Sequence, residues 1–248
     1  MTLKAAMLGG TIPMPLRGVF GVYTGTLGTP ARGYEPGVPA GNPPSVALSL
    51  LIKDSWTNPA TDSTTAFIST GLTSTKNANA NTVTNTRNTT DWDGALGTTG
   101  LTDFPRNVVI TTTHNSAIVA NTVVVTGIDR YGRTITESFT VAGGGTSTTS
   151  TGTTSFYRVD SIAITAAADA TTNTTKLGTG AVLGLSMPSA MTSCVKEYAA
   201  GSLATNGVFV ALSTAANADK RGTYAPNSAP NGATSYIVWY ISDDPSAL

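Results

Sequence analysis

Charged side chains are scarce in this chain. Lys, Arg, Asp and Glu make up 11% of its 248 residues, against roughly 25% in an ordinary soluble domain. The 14 basic and 14 acidic residues cancel to a formal net charge of zero, and they are scattered without runs. That removes the basic footprint a phosphate backbone demands, so no nucleic-acid partner is expected. Cysteine and histidine occur once each, as Cys194 and His114. A lone cysteine cannot close an intramolecular disulfide, and its neighbours Ser193 and Val195 suit a small, half-buried strand position. A lone histidine excludes a His-rich metal site and leaves any Ser/His/Asp arrangement to be built on one ring. The main apolar stretch, Val46 to Ile52 with Ser49 inside it, falls far short of the roughly 20 residues that span a bilayer, so no membrane partner is expected. Near the start, Pro13, Pro15 and Arg17 interrupt the apolar stretch before a secretory segment develops, and no signal peptide is expected. No stretch keeps a helical apolar stripe beyond about two turns.

Thr, Ser, Asn, Gly and Ala stand where Lys and Glu usually do, so uncharged polar groups must cover much of the surface. Disordered chains combine low hydrophobicity with high net charge; here 40% of residues are hydrophobic and the net charge is zero, which predicts a folded chain. The length suffices for one large β domain or two smaller ones, with a core that needs no metal or disulfide. A surface so poor in charge is weakly protected against self-association, which suits a protein whose faces are covered by neighbours.

Residues 1–44 hold Pro13, Pro15, Pro30, Pro36, Pro39, Pro43 and Pro44, too closely spaced for helix or central strand. An extended arm is expected. Its apolar side chains, among them Ile12, Met14, Leu16, Val19, Phe20, Val22 and Tyr23, exceed what a free linker exposes. They are the candidate assembly residues, folded back on their own domain or laid across a neighbouring subunit.

Residues 45–248 read as a β-rich domain, with divisions near 100 and 190 left open. Ser45 to Lys53 reads as a buried strand and Thr65 to Thr70 as its partner. Gly71 to Gly100, rich in Thr, Asn and Gly, reads as a long surface excursion with a strand placed within it. From Asn107 the signal strengthens: NVVITTT, IVANTVVVTGID and YGRTITESFTVA are dense in β-branched residues. Asp129-Arg130-Tyr131-Gly132 has the chemistry of a tight hairpin turn. In the following arm Thr134, Thr136 and Ser138 form a hydroxyl face. Ile135, Glu137 and Phe139 form the other, with Glu137 expected at a sheet edge or subunit contact. The Gly143-Gly144-Gly145 string and the Thr/Ser tract to Thr154 read as a flexible loop. Ser155 to Ala166 is a strand, and Thr175 to Met187 continues the pattern, with Gly178, Gly180 and Gly184 expected at bulges or close approaches. A further pair is expected from Val195 to Ala199 and Val208 to Leu212. The chain closes on SYIVWYIS, Ser235 to Ser242. This many short strands predicts an all-β fold, a β-sandwich or barrel, with immunoglobulin-like and jelly-roll types among the options.

Candidate chemistry is sparse. His114 sits in a polar turn, where a solvated or hydrogen-bonded ring outweighs a catalytic base. Asp91/Asp93 and Asp243/Asp244 are the close carboxylate pairs; without further ligands nearby, DWDG reads as a turn and DDP as a fraying end. Gly143 to Gly145 and Leu177 to Gly180 precede no helix, so phosphate cradling is unsupported. Neither a catalytic residue nor a cofactor or metal is expected. Tyr23, Tyr34, Trp56, Trp92, Tyr224, Trp239 and Tyr240 could line a carbohydrate face, but their spacing does not repeat. Trp239 and Tyr240 are better read as core or interface anchors.

One region carries a resemblance. Arg106 to Ile110 opens it, followed by VTGID (Val125 to Asp129), the Gly132 turn, TITESFTV (Thr134 to Val141), a Gly/Thr/Ser loop and SFYRVDSIAIT (Ser155 to Thr165). Phe104 to Ile164 thereby resembles a domain common in structural proteins of tailed bacteriophages, including those that decorate capsids. The resemblance implies a virion role and brings no catalytic residues. The expectation is a capsid decoration, or cement, protein, made in the host cytoplasm and placed on the exterior of the phage head. It would bind the major capsid protein and itself, as trimer or dimer. A head-fibre, tail or glycan-binding host-recognition module is the alternative, and a hydrolase built around His114 or Asp91/Asp93 a more distant one.

Overall fold

The computed structural model describes residues 22–23, 48–74, 82–87, 89–165, 173–187, 196–210 and 221–242. Within these residues the chain is all-β, with no helix. The strands are β1 (Val22–Tyr23), β2 (Leu48–Trp56), β3 (Ser63–Ser74), β4 (Thr82–Thr86), β5 (Leu101–Thr113), β6 (Asn121–Ile128), β7 (Thr134–Val141), β8 (Ser147–Thr151), β9 (Phe156–Thr165), β10 (Asn173–Gly184), β11 (Lys196–Ala199), β12 (Ser202–Ala204), β13 (Val208–Val210), β14 (Thr223–Ala225) and β15 (Tyr236–Ser242). Their ladders are antiparallel. A five-stranded sheet runs β1-β2-β15-β11-β12. A ten-stranded sheet follows the path β13-β14-β10-β5-β9-β6-β7, with β3 beside β10, β4 beside β9 and β8 beside β5.

The larger sheet curls around an aliphatic core. Alternation produces it: β6 (NTVVVTGI) buries every second residue, and Val123, Val125, Ile135, Phe139, Ile162 and Ile164 meet inside. The β6–β7 hairpin is closed at its turn by Gly132 N–H to the Asp129 carbonyl (3.1 Å) and Asp129 N–H to the Arg133 carbonyl (2.9 Å). Gly132 takes φ +79°, a left-handed conformation suited to glycine. Pro105 has no N–H to donate, and the β5–β9 ladder shifts register between Leu101 and Arg106. A Cβ on Gly178 would lie 1.8 Å from the Ser63 carbonyl oxygen, and the β3–β10 register shifts on either side of Leu177. Gly180 and Gly184 press on the Asn107 and Ser155 side chains in the same way.

The Thr/Ser tract expected as a flexible loop contains a strand. β8 pairs with the edge of β5 left open beyond β9, its threonines being well suited to a pleated surface. The curl then brings β7, the last strand of the path, close to β8. Glu137 bridges this gap: its carboxylate accepts the Thr153 N–H at 2.6 Å and the Thr154 N–H at 3.1 Å. It thus lies on the edge strand, and its partner is this chain's own loop. Burial pushes its carboxyl above the ordinary value, against the pull of those donors.

A second, aromatic core lies between the five-stranded sheet and the β13–β14–β10 end of the larger one. It joins Trp56, Leu183, Phe209, Tyr224, Tyr236, Val238 and Tyr240. Trp56 and Tyr224 stack with centroids 6.4 Å apart, and Phe209 meets Tyr240 edge-on at 5.5 Å. The hydroxyls find acidic or backbone partners, as buried tyrosines require. Tyr224 donates to Glu197, and Tyr240 lies 3.0 Å from both Asp54 Oδ2 and the Met187 carbonyl. A buried ion pair ties the hairpin turn to this core: Asp129 meets Arg221 at 3.0 Å and Arg133 at 2.8 Å. Tyr131 lies over the Arg221 guanidinium, 4.4 Å from ring centroid to cation.

Other expectations are corrected. β3 pairs with β10 and not with β2. The stretch from Gly71 to Gly100 holds the expected strand, β4, but also the end of β3 and Trp92, which is buried against Phe67. β11 pairs with β12 and β15, and β13 with β14, so β11 and β13 are not partners. Ladders of β3 with β10 and of β4 with β9 cross position 100, and that of β10 with β14 crosses position 190.

Candidate assembly interface

β15 has apolar residues on both faces. Tyr236, Val238 and Tyr240 point into the aromatic core, while Ile237, Trp239 and Ile241 alternate outward and are half-buried. The register gives them outward neighbours: Leu51 beside Ile241, Lys53 and Lys196 flanking Trp239, Ser55 and Tyr198 flanking Ile237, and Leu203 beside Tyr198. Leu51 is 44% exposed and Leu203 60%. One sheet face therefore presents Leu51, Ile241, Trp239, Ile237, Tyr198 and Leu203 as a continuous strip. The Lys53 ammonium lies 5.8 Å from the centre of the Trp239 ring. The strands' carboxylates, Asp54 and Glu197, both face inward and are buried, so the described outward positions carry no acid.

The inward carboxylates hold this sheet to the larger one. Asp54 accepts the Ser186 N–H at 2.8 Å. Glu197 accepts the Gly207 N–H at 2.8 Å as well as the Tyr224 hydroxyl. Burial, followed by the charge of Asp54, pushes Tyr240 far above its ordinary range, so it remains a neutral donor. The tethering carboxylates are thus engaged on the inside, and the described outward positions hold apolar side chains beside Lys53, Ser55 and Lys196.

β1 continues the sheet at the β2 edge, with Val22 opposite Ser49 and Tyr23 opposite Leu48. Two of the seven candidate arm residues are therefore placed, at the margin of this sheet. Ile12, Met14, Leu16, Val19 and Phe20 lie outside the described residues. The two candidate anchors of the last strand divide: Trp239 belongs to the outward strip, and Tyr240 is a buried anchor of the core. Sequence reasoning missed Leu51, Tyr198, Leu203, Ile237 and Ile241. The signal available was SYIVWYIS itself, because a strand that is apolar at both odd and even positions needs cover on both sides.

The other candidates are engaged elsewhere. His114 Nδ1 accepts the Ser116 and Ala117 N–H groups, each at 2.9 Å, and so caps its own turn. Asp91 accepts from Asn85 at 2.5 Å, whereas Asp93 accepts the Ser69 N–H at 2.6 Å. The two acids serve separate turn contacts and do not converge. The Thr70 hydroxyl on Asp93, followed by the Ser69 N–H, lowers that carboxyl's pKa. A groove of about 360 Å³ includes Asp93, Asp103 and Arg106 in its lining. There Arg106 is held by Asp103 at 3.0 Å, the Gly180 carbonyl at 2.8 Å and the Ala60 carbonyl at 3.0 Å. Among the described residues no group of three His, Cys, Asp or Glu side chains could hold a metal. Cys194 and Asp243/Asp244 lie outside the described residues. Of the aromatics considered for a carbohydrate face, Trp56, Trp92, Tyr224 and Tyr240 are buried.

Comparison with protein families, with curated proteins and with solved structures finds no match for this chain.

Proposed function

We propose that this chain is a non-enzymatic structural subunit of a tailed-phage-type particle, acting as a capsid decoration protein that binds the head exterior and neighbouring copies of itself. The observation that carries the reading is the outward strip of the five-stranded sheet, apolar, free of acids and bordered by the root of an apolar arm. Solvent does not favour such a face, whereas the centre of a protein–protein contact does: aromatic residues are enriched there and carboxylates depleted. The low-charge surface and the resemblance of Phe104 to Ile164 to phage structural proteins support the same reading. A shell subunit contacts several neighbours at once, so each contact needs only modest affinity.

Hydroxyl-radical footprinting within an assembled particle tests this. Trp239, Tyr198 and Leu203 are expected to be shielded, while Tyr131 and Tyr157, exposed on the larger sheet, are labelled. Equal labelling of both groups, or a folded chain that binds no shell, contradicts the proposal.

A further inference from the structure

We propose that the β6–β7 turn is a binding site for an acidic saccharide, a sugar ring that carries a carboxylate or sulfate group. The site stands apart from the assembly strip, because the turn belongs to the larger sheet and the strip to the smaller. In a chain with only 14 Lys and Arg among 248 residues, three guanidinium groups gather around one ring. The Tyr131 ring centre lies 4.4 Å from the Arg221 cation and 6.0 Å from those of Arg130 and Arg133.

Among the described residues, Asp129 is the carboxylate paired with this cluster, and it is engaged within it. Its Oδ2 meets Arg133 at 2.8 Å and Arg221 at 3.0 Å. Its Oδ1 accepts the Tyr131 N–H at 2.7 Å and the Arg133 N–H at 3.0 Å, which fixes the turn. Asp54, which takes the Ser186 N–H, is buried on the inner side. Arg130 is exposed and forms no ion pair with a described residue, and the Arg133 side chain is 45% exposed. Three cations against one anion leave positive charge facing solvent. An oxyanion matches it, because a guanidinium fork takes two of its oxygens at once.

Tyr131 supplies the other half of the site. Its ring lies over the buried Arg221, yet the residue is 54% exposed. Its hydroxyl donates to the Ser186 carbonyl at 3.3 Å and holds the ring in place. A fixed aromatic surface open to water suits the apolar face of a sugar ring, while the arginines at its rim suit the ring's acidic substituent. Because turn and ring are already held, little ordering is needed on binding.

Titration calorimetry of the full-length chain at low salt tests the site, with oligogalacturonate as the carboxylate sugar, dextran sulfate as the sulfated one and neutral dextran as the blank. One or both acidic sugars are expected to bind, the tighter one identifying the acidic group, and neutral dextran is not. Arg130→Gln, at an exposed position, is expected to weaken binding about tenfold, the scale of one charge-assisted hydrogen bond. Tyr131→Leu should weaken it several-fold. Lys53→Gln removes a cation from the other sheet and should change nothing. Failure of both acidic sugars to bind overturns the proposal, as does an equal loss in Arg130→Gln and Lys53→Gln, which would reduce the effect to net charge. Inorganic sulfate bound as tightly as either sugar, or an oligothymidylate bound more tightly, also overturns it. Shell binding is expected to be unchanged in Arg130→Gln, so this site and the assembly reading fail separately.

Discussion

The two sheets solve the problem of a charge-poor surface in opposite ways. The larger one curls until its last strand meets β8, buries Val, Ile and Phe within, and turns Thr and Ser outward, as along β7. The smaller one buries aromatics and carboxylates within and turns Ile237, Trp239, Ile241, Leu51 and Leu203 outward. One region is completed by its own chain. The other engages Asp54, Glu197 and Tyr240 on its inside and presents a mostly apolar strip on its outside. The difference teaches where to look for a docking surface: at the face whose polarity is reversed, rather than in the groove beside Asp93 and Asp103.

The largest effect is expected at the buried ion pair that ties the larger sheet's hairpin turn to the approach to β14. Asp129→Ala removes the carboxylate held by Arg221, each side chain being 1% exposed, and breaking a buried pair on one side costs about 3–5 kcal/mol. Urea unfolding measures it. Although desolvation opposes it, hydrogen bonds from Arg133 and the charge of Arg221 hold the Asp129 carboxyl below its ordinary value. Its contribution is therefore present above the unfolded-state value and is lost as pH falls through the folded one. Acid unfolding of Asp129→Asn should accordingly show a shallower pH slope than the parent chain. Tyr240→Phe comes next. It leaves the Met187 N–H and Asp54 without the hydroxyl, for a loss of about 1–3 kcal/mol.

Much of this arrangement was readable from the sequence, and unevenly so. The β6–β7 hairpin followed from Asp129 and Gly132 because turn chemistry is local. The alternation of Val, Ile and Thr gave β5, β6, β7 and β9 for the same reason. β8 was not readable: STTST has no apolar side to bury, and it is a strand because β5 leaves an edge open beside it. β14, three residues long, owes its pairing with β10 to a partner distant in sequence, whereas β12 closes a short hairpin with β11. The roles of Glu197 and Asp54 as tethers are likewise tertiary, since nothing local distinguishes a carboxylate that caps a loop from one that meets solvent. The strip was half-legible: Trp239 was singled out, and the register that groups it with Leu51 and Leu203 was not.

A smaller effect sharpens the contrast at the seam of the larger sheet. Glu137 has a raised folded-state value through burial, so its contribution is full below the unfolded value and declines as pH rises through the folded one. Glu137→Gln should flatten that decline while changing neutral stability by less than about 1.5 kcal/mol, the scale of one hydrogen bond. Melting profiles between mildly acidic and neutral pH read it.

The smallest effect on stability is expected to accompany the largest effect on assembly. In the double variant Trp239→Glu, Leu203→Glu, the change at the 60%-exposed Leu203 should cost no more than about 0.5 kcal/mol, as for ordinary surface substitutions, and the change at half-buried Trp239, which loses the ring beside Lys53, about 1 kcal/mol. Tyr157→Glu, an aromatic-to-acid change at an exposed position of the larger sheet, serves as the control. Co-sedimentation of the three chains with undecorated shells is the direct measurement. The account predicts that the intact chain and Tyr157→Glu bind while the Trp239/Leu203 variant, still folded, stays in the supernatant; equal binding by all three would contradict it.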